Sequence, residues 1–140
     1  MPSGTTLSDD KDMPTRVLIV DDNEAILSRV ASVLTPYCVV VGTERNGRAA
    51  LEAAEKLQPD VIVLDISMPG MNGLEVARAL HDAGSKAAVV FLTVQDEEDI
   101  ITAATAAGAL GYVAKPRLAS DLMPAVREAR AGRSFHSPTR

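Results

Sequence analysis

The sequence predicts an α/β domain in which a parallel β-sheet lies between two layers of helices. Five short apolar segments alternate along the chain with five segments whose apolar residues recur at helical spacing. The apolar segments are nearly continuous hydrophobic runs, which is typical of strands buried on both faces of a parallel sheet. A chain of 140 residues with 46% hydrophobic and 24% charged residues has the length and composition of one such globular domain.

The first half of the pattern contains two strand–helix pairs. Residues 16–20 (RVLIV) form the first apolar run, and residues 23–35 follow with apolar positions at helical spacing up to the next proline. Residues 38–43 (CVVVGT) are the second predicted strand, and residues 47–58 predict an alanine-rich helix that also ends before a proline. Cys38 is the single cysteine, so it is expected to be a small buried residue of its strand.

The second half contains three further pairs. The predicted strands are residues 61–64 (VIVL), 87–92 (AAVVFL) and 110–114 (LGYVA). The predicted helices run from residue 74 to near residue 84, from a cap at residue 96 to residue 107, and from a cap at residue 121 to near residue 132. Asp96 and Asp121 are the predicted N-caps because a short carboxylate can accept a hydrogen bond from the first free amides of a helix. With Asp121 as the cap, Pro124 falls at the third helical position, where its missing N–H breaks no hydrogen bond.

Residues 15–132 carry this pattern and are predicted to form one domain. Residues 1–14 (MPSGTTLSDDKDMP) are polar and aperiodic, so they are predicted to be disordered, and residues 133–140 are predicted to be a C-terminal tail. No apolar run approaches the ~20 residues that a membrane-spanning helix needs, and the first segment lacks the order of a secretory signal. We therefore expect a cytoplasmic protein without membrane contact, and the net charge of −5 argues against nucleic acid as its main partner.

Side chains capable of chemistry follow four of the five predicted strands, at the point where each strand ends. Asp21 and Asp22 follow the first strand, Asp65 follows the third, Thr93 follows the fourth and Lys115 follows the fifth. The carboxyl ends of parallel strands meet at one edge of a sheet, where ligands bind in folds of this class. Each residue alone could be a helix cap, a turn residue or a surface charge. Together they predict a functional site at this edge.

The three carboxylates predict a bound divalent cation. Carboxylates held close together repel one another, and a hard cation with a preference for oxygen ligands removes that repulsion. His81 and His136 lie in a helix and in the tail, where they are expected to face solvent, so nothing suggests a zinc site. We therefore expect Mg²⁺.

A carboxylate beside a bound metal can act as a nucleophile toward phosphorus. The transferred phosphoryl group has three equatorial oxygens whose charge must be met. The metal, the Lys115 ammonium and the Thr93 hydroxyl supply one partner for each oxygen. Asp65 is the best nucleophile, because it ends the central strand between the acidic pair and these two groups.

The sequence resembles the response-regulator receiver domains of two-component signalling, over roughly residues 16–132. The matching motifs are VLIVDDN (17–23), VIVLDISMPGMNGLEV (61–76), VVFLT (89–93) and GYVAKP (111–116). The resemblance implies a flavodoxin-like (βα)5 fold, a doubly wound parallel sheet of five strands in the order 2-1-3-4-5.

The resemblance also implies specific roles for the residues of the site. It places Mg²⁺ on Asp22, on Asp65 and on the backbone carbonyl of Ser67, with Asp21 acting through water. It implies that Asp65 takes the phosphoryl group from a phosphohistidine of a sensor histidine kinase or a phosphotransfer protein, as in a phosphorelay. A cis peptide bond between Lys115 and Pro116 is a further implication, and such bonds are essentially confined to X–Pro pairs.

A conformational switch is implied as well. In this family Thr93 would be drawn toward the phosphoryl group, and Tyr112 would turn inward behind it. Phosphorylation would then shift the population of conformations at the surface of the fourth helix, fifth strand and fifth helix. That surface would bind a downstream protein target or a second copy of the chain.

The last segment points to a subgroup and to two kinds of output. Residues 117–138 (RLASDLMPAVREARAGRSFHSP) resemble the last helix and linker of NarL/FixJ-like regulators, which continue into a DNA-binding helix-turn-helix. Since the sequence ends at Arg140, we expect a stand-alone receiver that binds no DNA by itself. The alternative is the receiver part of a NarL/FixJ-like transcription regulator that lacks its DNA-binding domain.

Two further classes of function are weaker. A haloacid-dehalogenase-like phosphatase also uses Asp, Thr, Lys and Mg²⁺, but it needs a second Asp two residues beyond the nucleophile, and position 67 is Ser. A phosphate-independent binding module would not demand so many charges that repel one another. We therefore expect no enzyme activity beyond autocatalytic acceptance and loss of the phosphoryl group.

Overall fold

The computed structural model of the protein describes residues 14–94 and 98–138, apart from the side chains of residues 98 and 99. The predicted disordered segment therefore lies outside the described residues except for Pro14, and so does the predicted cap Asp96.

The described residues form one six-stranded sheet flanked by five helices. The strands are β1 (Thr15–Val20), β2 (Cys38–Glu44), β3 (Val61–Asp65), β4 (Ala88–Thr93), β5 (Gly111–Ala114) and β6 (Phe135–His136). The helices are α1 (Glu24–Leu34), α2 (Gly47–Leu57), α3 (Gly73–Asp82), α4 (Glu98–Ala106) and α5 (Leu118–Arg130). A 3₁₀ turn, Lys115–Arg117, connects β5 to α5.

All strand pairs are parallel, in the order β2-β1-β3-β4-β5-β6. The predicted flavodoxin-like fold and the order 2-1-3-4-5 are confirmed. The sixth strand is an addition from the segment predicted as a tail. Its backbone joins the sheet through two hydrogen bonds. The N–H of Phe135 donates to the Leu110 carbonyl at 3.0 Å, and the N–H of Ser137 donates to the Tyr112 carbonyl at 2.8 Å.

Four strands, β1, β3, β4 and β5, bury apolar side chains on both faces, as their continuous hydrophobic runs predict. The edge strand β2 departs from this expectation, because Cys38 is its one buried residue. Leu18 and Val20 of β1 pack in the cluster that contains the inner faces of α2 and α3, whereas Val17 and Ile19 pack in the cluster that contains α1 and α5. These four side chains are fully buried, and so is every residue of β3, which lies at the centre of the sheet. Cys38 is buried on β2, as predicted.

Three helices begin with an asparagine cap at the carboxyl edge of the sheet. Asn23, Asn46 and Asn72 each accept a hydrogen bond from the amide three residues later, at 3.1, 2.8 and 2.9 Å. Asn72 also donates its backbone N–H to the side chain of Glu75, which completes a capping box. The caps fix the chain where it leaves β1 and β3, next to the acidic residues.

The beginning of α5 corrects two expectations. The helix begins at Leu118, three residues before the predicted cap, so Asp121 lies in its first turn and Pro124 lies inside the helix. The 3₁₀ turn continues directly into α5, and Arg117 rather than Asp121 precedes the first helical residue. No cis peptide bond occurs in the described ranges, so the expected cis bond before Pro116 is wrong. Pro116 instead lies in the first turn of the 3₁₀ segment, where its missing N–H breaks no hydrogen bond.

Within residues 14–94 and 98–138, the helices are too short or too polar to cross a bilayer.

Candidate functional site: an acidic cluster at the carboxyl edge of the sheet

The predicted site residues lie where the strands end. Asp21 directly follows β1, Asp65 is the last residue of β3, Thr93 is the last residue of β4, and Lys115 directly follows β5. Because β3 lies between β1 and β4 in the sheet, Asp65 is central among them. Asp22 follows Asp21 at the same edge.

The three aspartates form one cluster. Each contributes a carboxylate oxygen, and these atoms all lie within 4.8 Å of one another. Asp21 is 0% exposed and Asp65 is 2% exposed, while Asp22 is half-buried. Two of the three charges are therefore removed from water, which makes their mutual repulsion strong.

Lys115 supplies the positive charge of the cluster. Its Nζ atom lies 3.0 Å from Oδ2 of Asp21 and 3.3 Å from Oδ1 of Asp65. Burial opposes the charge of this ammonium group, but the contacts with Asp21 and Asp65 outweigh burial and raise the pKa of Lys115. The lysine is therefore a permanent cation that bridges two buried carboxylates.

The two oxygens of Asp21 differ in their partners. Oδ1 accepts the backbone N–H of Asn23 at 2.9 Å. Oδ2 is fully buried and accepts no well-directed hydrogen bond from the described residues, so its contact with Lys115 is an ion pair without good hydrogen-bond geometry. A buried carboxylate oxygen in this state has capacity for a cation.

Burial, as the larger cause, and the nearby charge of Asp21 raise the pKa of the Asp65 carboxyl to about 6. Lys115 and the backbone N–H of Ser67, which donates to Oδ1 at 3.3 Å, act in the opposite direction. Asp65 is thus a carboxyl group whose negative charge is only partly compensated. A second cation beside it would favour the ionised, nucleophilic form.

The donor atoms fit Mg²⁺. All three side chains offer oxygen, no His or Cys belongs to the cluster, and Oδ2 of Asp21 lacks a well-directed donor. Ser67, whose carbonyl is the other expected ligand, follows Asp65 by two residues in the loop that leaves β3.

The two expected switch residues are both buried. Thr93 is 2% exposed at the end of β4, and Tyr112 is 1% exposed on β5. Tyr112 has its ring edge-on to that of His136 in β6, with ring centroids 6.4 Å apart. The Tyr112 ring is therefore buried and lies against β6.

Gly73 is a residue of the site region whose role the sequence analysis did not identify. A Cβ atom at this position would collide with the carbonyl oxygen of Asp65 and would lie 2.8 Å from the Cα of Ile66. Its N–H donates to the Ile66 carbonyl at 2.8 Å. The glycine lets the loop after β3 fold back against the backbone of Asp65. In the sequence, Gly73 precedes Leu80 by seven residues, which is ordinary helical spacing. The pattern therefore gave no sign of this close approach to the backbone of Asp65.

Comparison with known proteins identifies a family that covers most of the chain. The model of the response regulator receiver domain matches residues 17–127. The nitrate/nitrite response regulator protein NarL of Escherichia coli strain K12 is 36% identical over 121 residues, which cover 85% of this chain and 56% of that protein. A protein-glutamate methylesterase/protein-glutamine glutaminase of a Nocardioides species is 40% identical over 121 residues, covering 81% of this chain and 33% of that protein.

A solved structure gives the same result at the level of the fold. A two-component response regulator of the LuxR family from an Aurantimonas species superposes with a TM-score of 0.85 and 27% identity, covering 89% of this chain and 91% of that chain. The present chain spans about half the length or less of the two curated relatives above. The residues that the family model matches include all three aspartates of the acidic cluster.

Proposed function

The chain belongs to the response regulator receiver domain family, and on that premise we propose that it is a Mg²⁺-dependent phospho-acceptor switch whose phosphorylation site is Asp65. One observation carries the proposal: Asp65 lies at the end of the central strand, within 4.8 Å of two other carboxylates and 3.3 Å from the Lys115 ammonium. This arrangement combines a nucleophile with the charges that a phosphoryl group requires.

The donor in the proposed reaction is a phosphohistidine of a sensor histidine kinase or of a phosphotransfer protein. A carboxylate oxygen of Asp65 attacks phosphorus, and an O–P bond forms as the P–N bond breaks. The electron pair of that bond goes to the imidazole nitrogen of the donor, which then takes up a proton. Hydrolysis then removes the phosphoryl group. Water attacks phosphorus, the O–P bond to Asp65 breaks, and its electron pair returns to the Asp65 carboxylate with release of inorganic phosphate.

The surrounding residues have separate tasks in this reaction. Lys115 is close enough to Oδ1 of Asp65, at 3.3 Å, to pair with one phosphoryl oxygen. The Thr93 hydroxyl at the neighbouring strand end pairs with another. Asp21, Asp22, Asp65 and the Ser67 carbonyl would hold Mg²⁺, which supplies positive charge to the third oxygen when bound.

Output follows from the contact between Thr93 and the phosphoryl group. That contact favours the conformation in which Tyr112 packs inward, so phosphorylation shifts the population at the surface formed by α4, β5 and α5. A downstream protein target, or a second copy of the chain, would recognise this surface. Such a chain passes on a signal and does not turn over a metabolite.

Regulation of transcription is a second output, and the greater length of the relatives favours it. NarL of Escherichia coli is matched over 56% of its length, and residues 117–138 resemble the linker region of such regulators. The same receiver would then act within a longer transcription regulator. We expect this chain by itself to show no salt-dependent DNA binding in a titration, and measurable binding would favour a direct role with DNA.

The proposed site is tested by incubation with acetyl phosphate and Mg²⁺. We expect the wild type to gain the mass of one base-labile phosphoryl group and Asp65→Asn to gain none. Asp82→Asn is the matched control, because Asp82 is an exposed aspartate at the end of α3 and does not belong to the acidic cluster. Uptake by the Asp65→Asn variant at the wild-type level would refute the assignment. Steady turnover of a small phosphate ester would instead support a phosphatase.

A further inference from the structure

A buried hydroxyl in the C-terminal segment contacts the residue before the turn that carries Lys115 and a carboxylate of the helix after that turn. Ser137 is 2% exposed. Its Oγ donates to Oδ2 of Asp121 at 2.6 Å and accepts the backbone N–H of Ala114 at 3.1 Å. The hydroxyl thus donates one hydrogen bond and accepts another, and both partners are distant from Ser137 along the chain.

The bond to Ala114 extends the β5–β6 pairing. The Ser137 N–H donates to the Tyr112 carbonyl at 2.8 Å, as in a parallel ladder, and the next rung uses the serine side chain as acceptor. Pro138 follows and has no N–H with which to continue the ladder. The hydroxyl therefore holds the last residue of β5, where a two-residue strand would otherwise end.

The other partner of the hydroxyl is a buried charge that the phosphoryl chemistry does not use. Asp121 is 6% exposed and accepts hydrogen bonds from Arg117 Nε at 2.7 Å and from Ser120 Oγ at 3.0 Å, in addition to Ser137. Burial opposes the charge of this carboxylate, but these hydrogen bonds, with that of Arg117 foremost, lower the pKa of Asp121. Asp121 is therefore a fixed anion that anchors the network.

These contacts hold the short turn on both sides of Lys115. Ala114, the residue before Lys115, is held through its N–H by Ser137. Arg117, two residues after Lys115, is held through its guanidinium by Asp121. The Lys115 ammonium has to span from this turn to Asp21 and Asp65, so the placement of the turn determines the placement of the charge.

We propose that Ser137 is a positioning residue for Lys115, and that docking of the C-terminal segment through Ser137 and Asp121 sets the rate at which Asp65 accepts a phosphoryl group. The inference rests on the proposed function, since it concerns the rate of that reaction. It assigns to the segment after α5 a direct connection to the acidic cluster. A chain or partner that pulled residues 133–138 away from β5 would thereby slow phosphorylation.

Loss of this positioning has a signature that general loosening of the site does not share. Lys115 and Mg²⁺ both neutralise Asp21 and Asp65, so a displaced ammonium leaves more negative charge for the metal. Phosphoryl uptake should become slower while Mg²⁺ affinity is kept or increased. A site that is merely destabilised would lose both.

The test compares Ser137→Ala with Ser137→Thr, which keeps a hydroxyl, and with Ser134→Ala, an exposed serine in the same segment. We measure the phosphorylation rate with acetyl phosphate, the Kd for Mg²⁺ by titration of the metal alone, and amide hydrogen exchange at Ala114. For Ser137→Ala we expect uptake about tenfold slower, as for loss of one buried hydrogen-bond partner, together with faster exchange at Ala114 and a Kd no weaker than that of the wild type. Ser137→Thr should recover part of the rate, and Ser134→Ala should match the wild type.

The inference is overturned if Ser137→Ala is phosphorylated at the wild-type rate, or if its Mg²⁺ affinity falls in parallel with the rate. It is also overturned if the Ala114 amide exchanges as slowly as in the wild type. Failure of the proposed function is distinguishable from these results. In that case the wild type itself takes up no phosphate at Asp65, whereas hydrogen exchange and Mg²⁺ binding still report on Ser137.

Discussion

The carboxyl group of Asp65 is in surroundings that disfavour its own charge. It is 2% exposed and lies beside Asp21, and Lys115 compensates only one of the two buried charges. Such a carboxylate is reactive when a second cation is present and is a source of instability when it is not. Its chemistry and its effect on folding therefore have the same origin.

The first prediction concerns the pH dependence of stability without metal. The pKa of Asp65 is about 6 in the folded protein against 3.8 for the ordinary carboxyl, so between these values the folded state holds a proton that the unfolded chain has lost. The free energy of unfolding should therefore fall as pH rises through this window, by about 3 kcal/mol in total. Urea denaturation at several pH values, in the presence of a metal chelator, measures this fall in the free energy of unfolding.

The Asp65→Asn variant isolates this contribution. It should lack the fall between about pH 4 and 6 and should be more stable than the wild type near neutral pH, because the amide carries no charge to be buried. Asp82→Asn, at an exposed position, should retain the wild-type curve. A decline in Asp65→Asn as steep as in the wild type would mean that other groups cause it.

The second prediction concerns stabilisation by Mg²⁺. Only the folded chain brings the three carboxylates within 4.8 Å, so the metal should raise the melting temperature by mass action. Asp22→Asn should remove most of this increase and change the metal-free stability little, because Asp22 is half-buried and its charge is repelled by its neighbours. Thermal melts with and without Mg²⁺ measure this rise in melting temperature for the wild type and the variant. An unchanged Mg²⁺ effect in Asp22→Asn would exclude this residue as a ligand.

The residues of the acidic cluster could be predicted from the sequence, whereas the Ser137 network could not. Asp65 and Lys115 interrupt apolar runs at strand ends, and parallel topology brings such ends together. Ser137 and Asp121 have no comparable signal. Asp121 looked like a helix cap because a short carboxylate before a helix usually is one, and its partner Ser137 is an ordinary serine in a segment predicted as a tail.

At the scale of the elements, the loop between β3 and α3 depends on a close backbone approach. Gly73 begins α3, and its Cα faces the backbone of Asp65 and Ile66 with no room for a side chain. The capping box of Asn72 and Glu75 fixes the same junction from the helix side. Asp65 therefore lies at a junction that has no room for an added side chain at Gly73.

The third prediction is that Gly73→Ala both destabilises the protein and impairs phosphoryl uptake. The added methyl group meets backbone atoms that cannot rotate away, so we expect a loss of about 3 kcal/mol or more in the free energy of unfolding. The uptake of phosphate should fall because the displaced atoms belong to Asp65 itself. Urea denaturation and the acetyl phosphate assay measure the two effects.

Gly70→Ala is the control within the same loop. Gly70 has φ +75°, and nothing lies within 4 Å of a Cβ atom placed there. The change should cost about 1 kcal/mol for the left-handed backbone and leave uptake nearly unchanged. Equal effects of the two substitutions would show that the loop responds to backbone strain rather than to the collision at Asp65.

The helices and strands themselves were largely predictable, with errors where local rules compete. β1 to β5 were expected from continuous apolar runs, and their observed bounds differ by one residue at most at each end. The start of α5 was wrong by four residues because the 3₁₀ turn leads into the helix without a side-chain cap. β6 was missed because a two-residue strand is too short to show any period.

At the scale of the whole molecule, two apolar clusters pack on the sheet whose carboxyl edge carries Asp21, Asp22, Asp65 and Lys115. The strands β1, β3, β4 and β5 contribute buried residues to both clusters, so the body of the sheet is packed as one unit. Small movements at the acidic cluster must therefore be taken up at the strand ends and in the connections that follow. Thr93 and Tyr112 lie on neighbouring strands, β4 and β5, and we propose that such a movement reaches the α4–β5–α5 surface through these side chains.

The last prediction separates binding at the acidic cluster from transmission across the sheet. Beryllofluoride with Mg²⁺ should bind at Asp65 as a mimic of the phosphoryl group and change the NMR signals of Thr93 and Tyr112 in the wild type. Thr93→Ala keeps the three carboxylates and Lys115, so it should still bind the mimic. It lacks the hydroxyl whose contact favours the switched conformation, so the Tyr112 signals should respond much less.

Thr43→Ala is the matched control for this experiment, because Thr43 is exposed on β2, at the opposite edge of the sheet from β5 and β6. It should reproduce the wild-type response at Tyr112. If Tyr112 responds fully in Thr93→Ala, the hydroxyl is not the connection, and the α4–β5–α5 surface must be reached by another route. The ion pair of Asp65 with Lys115 is another contact that runs from Asp65 toward β5, so the turn held by Ser137 would then transmit the signal as well as position the charge.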